Sequence, residues 1–153
     1  MRVCNSSPLI AFEQIGATDV LRKLVRTALI PTAVRREVYG GNDPPDWLHE
    51  RQLAQPLPPR ILAVRLGAGE SEAIALALEV GADQILLDDL AARRLATSLG
   101  LEVIGTLGLL LQAKDRGLVP AVGPLITDLQ AHDFRVAGAL VAGILAAAGE
   151  ADP

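Results

Sequence analysis

The chain has 153 residues, half of them hydrophobic, which is enough for one compact domain with its own core and too short for two typical ones. Aromatic residues make up only 3%, which disfavours recognition of nucleic acid by a platform of stacked rings, and the one cysteine, Cys4, allows no internal disulfide, excludes a cysteine-based zinc site and suits a reducing cytoplasm. The net charge of −4 speaks against a nucleic-acid partner, but residues 1–65 carry nine Lys/Arg against six Asp/Glu (+3) and residues 66–153 carry five against twelve (−7), so one half could meet phosphates while the other holds a metal.

Met1 to Ala11 has one Arg and a short apolar run broken by Asn5, Ser6, Ser7 and Pro8, unlike a secretory signal. The apolar runs 103–111 and 136–148 fall short of the roughly 20 residues that span a bilayer, so a soluble, cytoplasmic protein with no membrane partner is expected. Arg2 to Asn5 reads as a short strand, with Ser7 as N-cap and Pro8 as first residue of a helix that Gly16 closes. A second helix begins at Thr18 or Asp19, Ala28 to Ile30 reads as a strand, and a third helix opens at Pro31 and stops at Gly40-Gly41. Gly40 to Pro59 holds five of the ten prolines and the only Trp, and is expected to wander irregularly around a short helix at Trp47 to Leu53. Ile61 to Leu66 is apolar enough to be buried but ambiguous in type.

From Gly69 the pattern becomes regular. Helices over 70–80, 90–99 and 107–116 are each followed by a glycine, Gly81, Gly100 and Gly117, where a left-handed cap is expected. Strands over 84–88 and 101–104 lie between them. This alternation predicts right-handed crossovers and a parallel, three-layer α/β/α sheet, with a ligand site at the carboxyl ends of the strands. Asn5 and Asp88 both fall there. The tail holds a helix near 124–131 and a longer one over 136–148 made of Ala, Gly, Leu, Ile and Val with no polar face, which either the domain or a second chain must cover. The chain thus divides into a domain over 1–134 and a C-terminal apolar helix over 135–153.

Four positions stand out as ligand chemistry. Glu70 shares a helical stripe with Ala73, Ile74, Ala77 and Leu78 and so points inward, whereas Glu72 aligns with Leu76 and Glu79 on the outer side; an acid in a first turn also complements the helix dipole without any ligand. Asp88 and Asp89 end a strand and begin a helix, so one is an N-cap; Asp88, at the strand end, is assigned to the site, with Asp89 auxiliary and spaced to pair with Arg93. Glu37 lies on the apolar side of its helix, with Arg35 and Arg36 elsewhere, and Asn5 offers a neutral oxygen. Inward acids at one strand edge repel one another unless a cation binds, and oxygen ligands suit Mg²⁺ or Mn²⁺, which can polarise a phosphodiester and activate water for in-line attack. His49 and His132 form no ligand pair. Gly67-Ala68-Gly69 is only a fragment of a dinucleotide fingerprint, and neither a phosphate-binding loop nor a serine-hydrolase elbow is present.

NSSPLI near the start, IPTAVRREV, LGAGESEAIALALEVGAD followed by ILLDD, and GTLGLLLQAKDRGLVP together resemble a PIN-like, Rossmann-like domain family of prokaryotes, catalogued largely as a domain of unknown function and similar to toxin ribonucleases of VapC type. The resemblance covers Val3 to Phe134. It implies a three-layer α/β nuclease whose clustered acids bind Mg²⁺ or Mn²⁺ and cut RNA, often as the toxin half of a toxin–antitoxin pair. By position Asn5 stands where the family's first Asp is expected, Glu37 matches the mid-chain Glu, Glu70 the acid opening the long helix and Asp88 the acid after the third strand. Asn5 departs from that pattern and removes a negative charge. Arg35, Arg36, Arg93 and Arg94 are then candidate phosphate contacts, and Ser6 and Ser7 candidates to position water or phosphate. The rival from another class is a PIN-like binding module without catalysis. A phosphoacceptor domain of receiver type would need a lysine close after a strand, and Lys23 and Lys114 do not supply it. Val136, Leu140, Ile144 and Leu145 are expected to help form a homodimer contact or an antitoxin site, unless they simply pack in the core.

Overall fold

The computed structural model describes residues 1–151. Its centre is a set of short strands: β1 (Arg2–Cys4), β2 (Ala28–Ile30), β3 (Leu48–Glu50), β4 (Gln84–Leu86) and β5 (Val103–Ile104). They form one five-stranded sheet in the order β3-β2-β1-β4-β5, parallel throughout, with Val3 of the central strand opposite Leu29 on one side and Ile85 on the other. Alternation along a strand sends neighbours to opposite faces. Val3, Leu29, Ile85 and Leu87 accordingly enter one core and Cys4, Ala28, Ile30 and Leu86 the other.

The first face is covered by α4 (Pro59–Leu62), α5 (Ala68–Val80) and α6 (Leu90–Ser98), which contribute Ile61, Ile74 and Ala92. The second receives α1 (Ser6–Gln14), α2 (Thr18–Val25), α7 (Thr106–Asp115) and α8 (Gly123–Ala131), through Phe12, Leu21, Leu110 and Leu129, while α3 (Thr32–Tyr39) sends Val34 to the same core. This is the expected three-layer parallel α/β architecture.

Three local expectations need correction. Trp47 to Leu53 forms no helix; after Pro44 and Pro45 the chain enters β3, where the Ala28 amide donates to Trp47 O (3.1 Å) and the Arg51 amide to Ile30 O (2.9 Å), so pairing with β2 wins over local helicity. Ser7 does not cap α1. The helix starts two residues earlier than expected, at Ser6, with Asn5 at the cap position in extended geometry and its side chain making no cap bond. Glu72 does not lie on an open outer face either, since Leu76 beside it is fully buried, whereas Glu79 is exposed as expected. Both glutamates accept backbone amides from the covering segments: Glu72 that of Ala33 (3.1 Å), and Glu79 those of Ala54 and Gln55 (both 3.0 Å).

The last helix, α9 (Gly138–Ala147), has no buried residue. Val136, Ile144 and Leu145 pack partly against the second core, whereas Leu140 is exposed. Glu150, just beyond it, takes a salt bridge from Lys114 of α7 (2.8 Å) and the amides of Val122 and Gly123 (2.8 and 3.0 Å), which pins the end of α9 to α7 and α8. Among the described residues no helix is long and apolar enough to cross a membrane.

Candidate active site

Strand ends supply the site. β1 delivers Asn5, β4 delivers Asp88 two residues past its last paired position, α3 carries Glu37 and the first turn of α5 carries Glu70. Asn5 is fixed by its amide donating to Leu86 O (3.0 Å), which ties the ends of β1 and β4 together. Two adjoining cavities open at this edge, of about 800 Å³ and about 220 Å³. The larger includes Asp88 and Arg93, the smaller Asn5 and Glu37, and both are lined by Ser7, Glu70, Asp133 and Phe134. Asn5 and the three acids Glu37, Glu70 and Asp88 therefore line adjoining parts of one groove.

Within the groove the oxygens fall into two groups, and the consecutive serines of α1 point one to each. Ser7 Oγ donates to Asp88 Oδ2 at 2.9 Å. The same carboxylate also receives the Thr106 hydroxyl on Oδ2 (2.6 Å) and the Thr106 amide on Oδ1 (2.8 Å). Ser6 Oγ donates instead to Glu37 Oε2 at 2.9 Å. Asn5 is only 2% exposed and its Oδ1 has no hydrogen-bond partner.

A glycine clears space for each group. A Cβ on Gly69 would stand 2.9 Å from Glu37 Oε2 and 3.1 Å from Asn5 Oδ1; a Cβ on Gly105 would stand 2.9 Å from Asp88 Oδ1 and 3.0 Å from Arg93 Nη1. Gly69 is thus needed for close approach, a role distinct from the nucleotide-binding fragment that Gly67-Ala68-Gly69 suggests in the sequence. Glu70 lies between the groups and curls back over the start of its own helix, with Oε2 2.5 Å from where a Cβ on Gly67 would be. That posture is the dipole-complementing one.

The other residues singled out in the sequence sort as follows. Asp89 is the helix cap, accepting the Ala92 amide at 2.9 Å, and its side chain also reaches the groove rim. Arg93 turns into the groove beside Asp88. Arg35 is held by Glu50 (3.0 Å) and by Gly40 O, and Arg36 and Arg94 are exposed and line neither cavity. Ser6 and Ser7 spend their hydroxyls on Glu37 and Asp88. Thr106, fully buried against Asp88, was missed, as were Phe134 and Arg135 at the groove; GTL after a strand end was a signal for the first, and FR before the last helix for the others. Cys4 takes no part in binding, since burial first and the Asp88 charge second push its thiol up and keep it protonated.

Among the described residues no three His, Cys, Asp or Glu side chains come close enough to hold a metal ion by themselves. Asp88 is turned toward Thr106, Glu70 toward Gly67 and Glu37 toward Ser6, so the carboxylates line the groove without converging. The donor set nonetheless fits a hard divalent cation: it is oxygen only, and the buried, unpaired Asn5 Oδ1 and the exposed Glu37 Oε2, which accepts from Ser6, lie 3.1 and 2.9 Å from where a Cβ on Gly69 would stand. No curated protein matches the chain. A family model described as a PIN domain matches residues 1–150.

Proposed function

Because the chain belongs to this PIN-domain family, a nuclease-type module acting on nucleic acid and generally using divalent metal ions, we propose that it is a Mg²⁺- or Mn²⁺-dependent ribonuclease that hydrolyses phosphodiester bonds of single-stranded RNA. The observation that carries the reading is the orphaned oxygen of Asn5 beside Glu37, in a groove shared with Glu70 and Asp88. Leaving a buried acceptor unpaired costs about 1–3 kcal/mol, and a cation there would remove that cost.

In this reading Asn5 and Glu37 would hold the ion, with Glu70 at the start of α5 as a further oxygen donor. Asp88, fixed by Ser7 and Thr106, would orient the attacking water, and Arg93 beside it would steady the phosphate. A bound Mg²⁺ or Mn²⁺ supplies Lewis-acid polarisation of the phosphodiester. Purified protein is expected to cleave single-stranded RNA with Mn²⁺ and to stop with EDTA. Glu70→Gln should lower the rate by more than roughly 100-fold, because losing even an outer-shell partner of a metal ligand costs about 10–100-fold. Cleavage that survives both treatments would sink the mechanism.

A second reading has its own support. Asn5 lacks the charge of an acid, and the carboxylates do not converge, as suits a binding module that has lost catalysis. Calorimetry with Mn²⁺ separates the two, since absence of binding at millimolar metal favours the module. The physiological role we propose is the toxin half of a toxin–antitoxin pair, with the exposed side of α9 around Leu140 contacting a small antitoxin or a second copy of the chain. Growth arrest on expression, relieved by the product of a neighbouring small reading frame, is the expected result. A monomer in light scattering whose expression is harmless would remove both partners.

A further inference from the structure

The chain is poor in aromatics, and most of its few rings are taken. Phe12 is fully buried, and Tyr39 and Trp47 line a separate cavity away from the acids. Phe134 is the only Phe, Tyr or Trp that lines the groove, and it lines both cavities, at the seam where Ser7 and Glu70 also meet. The fold holds it there. After α8 the Phe134 amide donates to Leu129 O and the Asp133 amide to Gln130 O, both at 3.1 Å, and Asp133 takes a left-handed φ of 64° that turns the chain back over the groove. The ring packs partly against the core while the residue stays partly exposed. The next residue, Arg135, is exposed and lines the larger cavity, as Arg93 does.

Resting on the ribonuclease reading above, we propose that Phe134 is the base-stacking residue of the substrate site: it takes the face of one unpaired nucleobase next to the scissile phosphate, while Arg135 neutralises the phosphate on that base's far side. A ring fixed by backbone bonds and partial core packing loses little conformational entropy on binding. Stacking is tolerant of base identity because every base has a π-face, and it requires a base free of its duplex partner. The site therefore selects single strands, with weak sequence preference at one position. Placing the ring at the seam of the two cavities brings the stacked base within one nucleotide of Asp88 and of Glu37.

The test uses a labelled RNA octamer and a set in which each nucleotide in turn is abasic, with binding read by stopped-flow anisotropy in Mn²⁺ before turnover and cleavage read afterwards. Phe134→Leu should weaken binding of the intact octamer about 10-fold, the usual scale for one stacked base, with the loss falling on KM rather than kcat. Phe134→Tyr should bind like the wild type. One abasic position should cost the wild type that same factor, and cost Phe134→Leu nothing further. Arg135→Gln should flatten the salt dependence of binding. An unchanged affinity in folded Phe134→Leu overturns the stacking role and leaves the nuclease reading standing. If Phe134→Leu does not fold, the abasic series on the wild type decides, and equal losses at every position overturn the role. A wild type that neither binds nor cuts any RNA overturns both readings together.

Discussion

The two ends of the groove are built with the same parts and finished differently. At each, a strand end presents a side chain, a serine from the first turn of α1 reaches an acid, and a glycine leaves room. On the Asp88 side the carboxylate receives three hydrogen bonds, one from Ser7 and two from Thr106. On the Asn5 side the amide oxygen receives none, and Glu37 receives only that of Ser6. A carboxylate satisfied by three donors is stable without a ligand. A buried acceptor with no donor carries a cost that a bound cation, a water or another donor would relieve. The fold thus satisfies one acid and leaves the amide oxygen on the other side without a partner among the described residues.

The sharpest way to press this contrast is Asn5→Asp. It places a second acid beside Glu37 at Gly69, so in EDTA the variant should be less stable than the wild type, as like charges in a buried site disfavour ionisation of both. Millimolar Mn²⁺ should reverse the order, raising its melting temperature more than that of the wild type, with cleavage rising by about 10-fold or more as a ligand charge is restored. A variant whose stability ignores Mn²⁺ would break the claim that the Asn5 side is the incomplete one.

Thr106→Val tests the other side. The change is close to isosteric and deletes the hydroxyl that donates to Asp88 Oδ2, leaving the amide bond in place. A hydrogen bond to a charged group is worth about 1.5–3 kcal/mol, and urea unfolding should register a loss of that size, unchanged by Mn²⁺. A loss that Mn²⁺ restored would mean that Asp88 is a ligand as unfinished as Asn5.

The glycines give a smaller but paired comparison. Gly105→Ala meets a carboxylate that three donors hold still, and an overpacked contact of that kind costs about 1–3 kcal/mol. Gly69→Ala meets the flexible end of Glu37, and within α5 it gains up to about 1 kcal/mol of helix propensity, so its net effect on stability should be smaller, while its effect on Mn²⁺ binding should be larger. Thermal melts and calorimetry that find the two variants equally affected would mean that the two ends do not differ.

Much of this was legible before any coordinates. The strand, glycine and helix rhythm after Gly69 made the parallel sheet readable because each element agrees locally with the fold, and the strand ends at Asn5 and Asp88 followed from it. The helical stripe singled out Glu70, which lines the groove, yet misread Glu72, because periodicity assumes one covered face and α5 is covered over most of its surface. β3 was hidden for a related reason. Its pairing with β2 joins residues about 20 apart in sequence, and no local signal in Trp47 to Glu50 encodes that partner. Thr106 and Phe134 matter for what they touch or line across the groove, which hydrophobic pattern does not record, so GTL after a strand end and FR before the last helix were only faint signals for them.

The smallest expected effect concerns the wall that only one end of the groove possesses. Leu140 and Ile144 of α9 line the cavity of Asp88 and not that of Asn5, and α9 is held at its end by Glu150. The Lys114 ammonium first, then the amides of Val122 and Gly123, lower the Glu150 carboxyl from its ordinary 4.5 to about 2. A depressed acid contributes stability that is fully present above its unfolded value and is lost as the pH falls through its folded value. The melting-temperature difference between wild type and Glu150→Gln should therefore be constant from pH 7 down to about 4.5 and shrink toward pH 2. Hydrogen exchange at pH 7 should quicken in α9 in the variant and leave α1 and α3, which frame the Asn5 side, at their wild-type rates. Faster exchange in α1 or α3 as well would mean that the groove opens as one unit and that its two ends are not energetically separate.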